Sequence, residues 1–511
     1  MGTAAMAAIG TKLDLGAADA PAGSLRVGVL SDIHCHHPAA VSYFERALKI
    51  FREADVDAVL IAGDLFTYGK ISELEDVARV WFKVFPNDLG KGDKKVERLF
   101  VTGNHDEVDW ATSQFKDYDD LKARCFLLNR EAVWERLWGE KYEKIRIRRV
   151  KGYTFVLRNW LGRSVDLMGR KIPAEPEVLP GFLAAHGAEL KALGRPFFYV
   201  QHEPIDETVN ATWLFGGLHW DNGQTSRGLR EKALFEGFPN AVVLTGHSHD
   251  TLTDEMSIWQ GRFTAVNCSS GTGYIFNAPG RVNGFNCEDF LREPPLEMPK
   301  FDHRVCQGLI MDVAGGQISF RRLDTYYNEE LDEPWVVPLF AGGATVPPTG
   351  TPKYDFNARK AASKPPTFAA DAKVTVSYVR EGYARKVGKP TLDPDKASAH
   401  PQLRVSFPPI TTKTSPTRAF DFSVKCEHLT GNVVTCEKEC RVYSPNFCSA
   451  ESRDTAPCAC NFNYAALPRN CRGRIRFVVT PFDSWGNAGR PIVSDWLQPE
   501  KIASAGTGTG T

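Results

Sequence analysis

Apolar runs of four to six residues recur along the first 330 positions, each followed by a polar, glycine-containing segment. The first, Leu25 to Leu30 (LRVGVL), predicts a strand. Val41, Phe44, Leu48 and Phe51 follow at spacings of 3, 4 and 3, the mark of an amphipathic helix. VDAVLIAG then reads as a strand buried on both faces, because its apolar run is nearly continuous. A second helical pattern covers residues 71 to 85. RLFVTG, FFYVQ, AVVLTG and RFTAVN predict further strands, and QGLIMDVAGGQISFRRLD predicts a hairpin turning at Gly315-Gly316. Strands alternating with helices over residues 25–330 indicate one α/β domain.

Beyond that point the pattern changes. Pro334, Pro338, Pro347, Pro348, Pro352, Pro365 and Pro366 interrupt regular elements, so residues 331–370 are expected to be a proline-rich linker. Over residues 371–500 the segments VTVSYV, LRVSF, AFDFSVKC and RIRFVVTPFD are strand-like, without helical periodicity. Short strands between turns predict an all-β sandwich. Residues 501–511 (the end of which reads SAGTGTGT) form an expected disordered tail. Residues 1–24 are small and apolar and resemble the remnant of an export signal.

Composition narrows the function classes. The 62 basic and 62 acidic residues cancel, so the chain lacks the global positive field of a general nucleic-acid binder. No run of 18 consecutive apolar residues occurs, which excludes a membrane-spanning segment of that kind. Five cysteines are scattered up to Cys306, whereas seven crowd between Cys426 and Cys471. Such density without a CxxC pair favours disulfides over zinc, and with them a secreted or periplasmic protein. Seven being odd, one thiol there is free or pairs elsewhere.

The candidate chemistry lies just past the predicted strands. Five motifs stand there: Asp32-Ile33-His34, Gly63-Asp64-Leu65, Gly103-Asn104-His105-Asp106, His202, and Gly246-His247-Ser248-His249. In open α/β sheets the crevice beyond the carboxyl ends of the strands binds ligands, so distant residues can meet at one edge. Two Asp, one Asn and four His offer oxygen and imidazole donors and no thiolate. That set suits Mn, Fe, Zn, Co or Ni. Seven donors exceed the needs of one four-coordinate ion and suffice for two if a carboxylate bridges. Glycines 63, 103 and 246 are expected to permit the sharp turns that aim the donors. Any one motif alone would more often be structural; it is the five in order that carry the signal.

DIH, GDL, GNHD, His202 and GHSH together resemble the calcineurin-like metallophosphoesterases over about residues 25–325. The resemblance implies a four-layer sandwich of two mixed β-sheets flanked by helices, with two divalent or trivalent transition-metal ions at one edge. It implies that Asp32, His34 and His249 hold one ion, that Asn104, His202 and His247 hold the other, and that Asp64 bridges. His105 matches the family's catalytic histidine and Asp106 the acidic position that orients it. The implied reaction is hydrolysis of a phosphomonoester or phosphodiester by a hydroxide generated at the metals, with His105 assisting the leaving group. Purple acid phosphatases, a branch of the same superfamily, carry a tyrosine ligand three residues after the bridging Asp. Here Thr67 stands at that place and Tyr68 one later, so no purple colour is expected.

Weaker signals remain. His36 and His37 are expected to be exposed loop residues, and Cys35 a small buried side chain. Trp213, His219, Trp220, Asp221 and Tyr274 are candidates for a substrate-pocket wall. The alternating basic run Lys144 to Lys151 reads as a solvated or protected strand edge rather than a nucleic-acid track. RIRFVVTPFDSWGNAGRPI resembles the last hairpin of a fibronectin type III or other immunoglobulin-like domain, with the cysteine-rich stretch as an insertion. The alternatives to a phosphoesterase of this kind are a nuclease or nucleotide phosphodiesterase, and a binding or adhesion protein that uses the fold as a scaffold. The expected partner is a phosphate-ester substrate.

Overall fold

The computed structural model describes residues 23–107, 112–162, 165–210, 212, 226–272, 306–382, 399–411, 415–444, 447–448, 450, 457–463 and 474–498. The expectations placed on residues 1–22, on Trp213, His219, Trp220, Asp221 and Tyr274, and on the tail 501–511 lie outside the described residues. The chain divides into two compact units, one holding residues up to 277 and 301–359, the other residues 278–300 and 360–511.

The first unit contains β1 (Leu25–Leu30), α1 (Pro38–Glu53), β2 (Ala58–Ala62), α2 (Ile71–Val84), β3 (Glu97–Val101), α3 (Tyr118–Arg124) and α4 (Arg130–Trp138). It continues with β4 (Ile145–Val150), β5 (Tyr153–Arg158), β6 (Val165–Leu167), β7 (Arg170–Ile172), α5 (Leu179–Lys191), β8 (Phe197–Val200), α6 (Ser226–Phe235), β9 (Ala241–Thr245), β10 (Ile258–Gln260), β11 (Thr264–Asn267), β12 (Gln307–Ala314), β13 (Gln317–Asp324) and β14 (Glu329–Pro338). Two six-stranded sheets result, ordered β14-β13-β12-β1-β2-β3 and β10-β11-β9-β8-β5-β4. Both are mixed. β1, β2 and β3 run parallel, as do β5, β8, β9 and β11, while the strands at the remaining edges are antiparallel.

The central strands β2, β8 and β9 are buried at every residue, which is why their sequences are continuous apolar runs. The outer face of the first sheet is closed by Phe44, Leu48 and Phe51 of α1, Leu74, Val77 and Trp81 of α2, and Trp134 and Trp138 of α4. Across the second sheet, Phe235 of α6 packs on Tyr199 of β8 with ring centroids 4.7 Å apart. The two sheets are joined where β3 and β5 end. Thr102 N donates to Asn159 Oδ1 at 3.0 Å, Trp160 N donates to Thr102 O at 3.1 Å, and Arg146 donates to Phe100 O at 2.8 Å. All carboxyl ends of the parallel strands are thereby brought to one edge.

β14 (Glu329–Pro338) runs into the stretch 331–370 expected to be a linker and pairs antiparallel with β13. β14 is an edge strand, so Pro334 and Pro338 need no ladder partner on their outer side. Tyr354 also belongs to the first unit: its hydroxyl accepts from Val336 N at 2.7 Å and its N–H donates to Gln260 Oε1 at 3.1 Å. The basic run on β4 is paired within the domain, Lys144 with Glu175, Arg148 with Glu140, Arg149 with Glu189 and Lys151 with Asp57. Among the described residues, no helix is long and apolar enough to cross a membrane.

In the second unit, β15 (Thr375–Gly382), β16 (Ala399–Phe407) and β19 (Cys458–Asn463) form one antiparallel sheet; β18 (Val433–Tyr443), β17 (Asp421–Thr430), β20 (Arg474–Phe482) and β21 (Ile492–Val493) form the other. Leu403, Val405 and Phe407 share one core with Phe422, Val424, Ile475, Phe477 and Val479, so the two sheets make a sandwich. The described part of the cysteine-rich stretch belongs to this framework rather than to an insertion into it. It supplies β18 and β19, and Cys426, Cys458 and Cys460 lie in the core.

Candidate metal centre

The loops after β1 and β2 continue the strand pairing beyond the sheet. Asp32 N donates to Gly63 O at 2.9 Å, His34 N to Asp64 O at 3.1 Å and Cys35 N to Leu65 O at 3.0 Å. The second sheet reaches across through His202, whose Nδ1 lies 2.8 Å from Ala62 O. Asp32, His34, Asp64, His247 and His249 all adopt left-handed backbone, with φ of 50°, 41°, 50°, 68° and 51°. Asp and His tolerate this region better than most residues, yet each instance costs about 1–3 kcal/mol and persists only where the surroundings hold it. Gly63, at φ 93°, does make the expected turn. The other two glycines answer a different need, close approach. A Cβ on Gly103 would sit 2.2 Å from Asp64 Oδ1, and one on Gly246 would sit 1.7 Å from Ser31 Oγ and 2.4 Å from Asp32 Oδ2.

Each carboxylate uses one oxygen for the backbone and aims the other inward. Asp32 Oδ2 accepts from His247 N at 2.9 Å. Its Oδ1 is buried without a hydrogen bond and lies 3.0 Å from His249 Nε2. Asp64 Oδ1 accepts from His105 N at 2.8 Å. Its Oδ2 lies 3.7 Å from His34 Nε2 and 3.2 Å from His202 Nε2. Around it His34 Nε2 approaches His249 Nε2 at 3.2 Å, His247 Nδ1 approaches His202 Nε2 at 3.1 Å, and Asn104 Oδ1 lies 3.0 Å from His202 Nε2.

These donors fall into two groups with Asp64 in common. Asp32, His34, Asp64 and His249 form one, and Asp64, His202 and His247 the other, each within 4.8 Å. Paired ring nitrogens this close cannot both carry protons. An orphaned, buried carboxylate oxygen among them costs free energy unless a cation meets it. The donor set therefore fits metal ions, and its imidazole and carboxylate chemistry fits the transition metals anticipated above.

Electrostatics prepares most of the histidines. Burial pushes His34 and His247 down to about 3, so both rings are neutral at ordinary pH, the form in which imidazole can bind a metal. Burial would also depress His202, but the Asp64 and Asp32 carboxylates overcome it and raise His202 to about 10. Burial disfavours charge on Asp64 and Asp32 as well; the surrounding histidines reverse this and hold both below the usual carboxylate range. In metal-free protein His202 is thus protonated at neutral pH, and loading must expel that proton. Adding Mn²⁺ to chelator-stripped protein near neutral pH should release about one proton per chain, with affinity rising as pH increases. Calorimetry in buffers of different ionisation enthalpy measures this; heat and affinity indifferent to buffer and pH would contradict it.

The family model described as calcineurin-like phosphoesterase matches residues 25–251. Residues 25–251 are a calcineurin-like phosphoesterase domain. Solved structures similar to the chain include a conserved uncharacterized protein, a predicted phosphoesterase, from Streptococcus pneumoniae TIGR4. It is 13% identical, with a TM-score of 0.26, and the match covers 62% of this chain and 98% of that one. A dimetal phosphatase from Danio rerio is 10% identical, with a TM-score of 0.37, and the match covers 61% of this chain and 98% of that one. No curated protein matches the chain.

The phosphoesterase domain brings Asp32, His34, Asp64, Asn104, His202, His247 and His249 together at its strand ends. His105 stands beside them, with Nε2 3.9 Å from Asp64 Oδ2. Asp106 behaves otherwise than expected. It is buried and accepts from Gly103 N at 2.7 Å, Phe66 N at 3.0 Å and Leu65 N at 3.2 Å, so it holds two loops rather than the His105 ring. Burial and the neighbouring Asp64 push its pKa well above the usual carboxylate range, against the pull of those amides. His105 Nδ1 instead lies 3.2 Å from Thr67 O. His36 is not a plain exposed residue either. It is half-buried, with Nδ1 2.7 Å from His34 O, whereas His37 is exposed and caps α1 by accepting from Ala39 N and Ala40 N. Cys35 is buried, and burial pushes its thiol pKa up, as for an inert side chain. Sequence reasoning passed over Ser270, whose hydroxyl donates to Asp32 O at 3.0 Å, and the hub role of Thr67. The GDLFT run places Thr67 near the site, but nothing in its spelling shows which way the hydroxyl turns.

Proposed function

We propose that the chain is a two-metal phosphoesterase that hydrolyses a phosphomonoester or phosphodiester. The observation that carries this reading is the position of Asp64 Oδ2 between His34 Nε2 at 3.7 Å and His202 Nε2 at 3.2 Å, one ligand from each group. Two cations bound there supply positive charge against the ester oxygens, a lowered pKa for water and an in-line clamp. The remaining work belongs to the chain. The Thr67 carbonyl can only accept, so His105 Nδ1 carries a hydrogen and Nε2 is the nitrogen turned to the site. Protonated there, it gives its proton to the departing alkoxide and regains one from water. Asp32 and Asp64 keep their inner oxygens fixed because their outer ones are bound by backbone N–H groups.

The full-length protein should hydrolyse p-nitrophenyl phosphate or bis-p-nitrophenyl phosphate, lose that activity to a chelator and regain it with Mn²⁺. Activity on single-stranded DNA exceeding that on both small esters would favour the nuclease reading. Metal uptake without hydrolysis of any ester would favour a scaffold. The presence of all seven donors and His105 weighs against a scaffold, and the internally paired basic strand weighs against a nucleic-acid track. We read the β-sandwich, which resembles fibronectin type III domains in its last hairpin, as an accessory domain. Among the described residues no disulfide joins two cysteines, contrary to the expected framework. The cysteine density and the small-residue composition of residues 1–24 support an exported protein, and recovery of the chain only from the cytosol of its host would refute export.

A further inference from the structure

Thr67 is the third residue after Asp64, in the loop that leads into α2. Its hydroxyl oxygen lies 3.3 Å from His34 Nδ1 and 2.8 Å from His36 Nδ1, and its backbone carbonyl lies 3.2 Å from His105 Nδ1. Three imidazoles therefore turn the same ring nitrogen to one residue. The partners decide the tautomers. His36 Nδ1 also faces the His34 carbonyl at 2.7 Å, and a carbonyl only accepts, so that nitrogen carries hydrogen. The same holds for His105 Nδ1 against the Thr67 carbonyl. His34 presents Nε2 to Asp64 and His249, so a ligating lone pair on Nε2 puts the ring hydrogen on Nδ1. The Thr67 hydroxyl oxygen accepts the His34 N–H through one lone pair and, through the other, shares the single His36 N–H with the His34 carbonyl, a three-centre bond.

We propose that Thr67 is a positioning residue of the metal centre: with the neighbouring half-buried His36 held on the same hydroxyl, it fixes the ligand His34 and the acid His105 in the tautomer that leaves Nε2 for chemistry. The proposal rests on the two-metal reading above. The loop is anchored for this task. Glu73 of α2 accepts from Tyr68 N at 3.0 Å and Lys70 N at 3.3 Å, and Phe126 N donates to Gly69 O at 2.7 Å. The residue at the place of the purple-phosphatase tyrosine thus serves from outside the ligand set: its oxygen meets the outer nitrogen of His34, not the inner carboxylate oxygens.

Thr67→Val keeps the shape and removes the acceptor, while Thr67→Ser keeps the acceptor. Full-length wild type and both variants, stripped by chelator, are titrated with Mn²⁺ by equilibrium dialysis and metal analysis. Removing an outer partner of a ligating histidine typically weakens metal binding about 10–100-fold, so Thr67→Val should lose that much at one of two sites and little at the other. Thr67→Ser should return to within about threefold of wild type. Should the valine variant not fold, by near-ultraviolet circular dichroism, Thr67→Ala removes the same acceptor with less bulk and must show the same selective loss. Two Mn²⁺ ions bound as tightly in Thr67→Val as in wild type would overturn the positioning role alone, as would a serine variant as weak as the valine one. A wild-type chain that takes up no metal would overturn the two-metal reading, and the positioning role with it.

Discussion

His105→Ala is expected to keep both metal ions and to slow hydrolysis of an alkyl phosphate ester by about 10²–10⁴-fold, the usual worth of a positioned general acid. Metal retention follows from the geometry. The contact that fixes Asp64 is the backbone N–H of residue 105, at 2.8 Å from Oδ1, and alanine preserves it. The ring is also the more open one: its side chain is 23% exposed, against 5% for His34 and 0% for His202. The loss should depend on the leaving group. An alkoxide cannot depart without a proton, whereas p-nitrophenolate can, so the same variant should lose far less with p-nitrophenyl phosphate. Steady-state kinetics across a series of leaving groups, with metal analysis of each sample, makes the comparison. Undiminished activity on alkyl esters would remove the acid role; loss of metal would reassign His105 to the ligand set.

The grouping of the candidate donors was legible because each lies directly beyond an apolar run, and the sheet order then brings those ends together whatever the intervening loops do. DIH follows β1, GDL follows β2, GNHD follows β3, and His202 and GHSH follow β8 and β9. The supporting contacts were not legible, because they depend on backbone atoms and on small differences in loop path. Asp106 is bound by amides from two loops some forty positions apart, and Thr67 uses a main-chain carbonyl for one histidine and a hydroxyl for two others. Gly103 and Gly246 look like turn residues in the sequence, yet what they supply is missing volume. Edge strands were the weak point of the fold reading. β14 carries two prolines and β18 reads VVTCEKECRVY; both lie at sheet edges, where only one side needs a partner and the apolar pattern thins.

Asp64→Asn should have the larger effect, because this single oxygen serves both groups. The variant can still accept the His105 N–H through its amide oxygen, so the loop has no reason to move. At the inner position an NH₂ group then replaces a carboxylate oxygen: it has no lone pair for a cation and presents its own partial positive charge. Both ions should be lost together, and activity should fall by the several orders of magnitude that the metals supply. His249→Ala and His247→Ala are the controls. Each belongs to one group only, so each should release one ion and weaken the other less. The His202 ring offers a reporter independent of turnover. Asp64 is the chief influence raising its pKa against burial, so in Asp64→Asn the ring should be neutral at lower pH, and any residual metal binding should release less than the single proton expected of wild type. An Asp64→Asn protein that keeps one ion at full strength would show that the carboxylate belongs to one site and that the centre is not bridged through it.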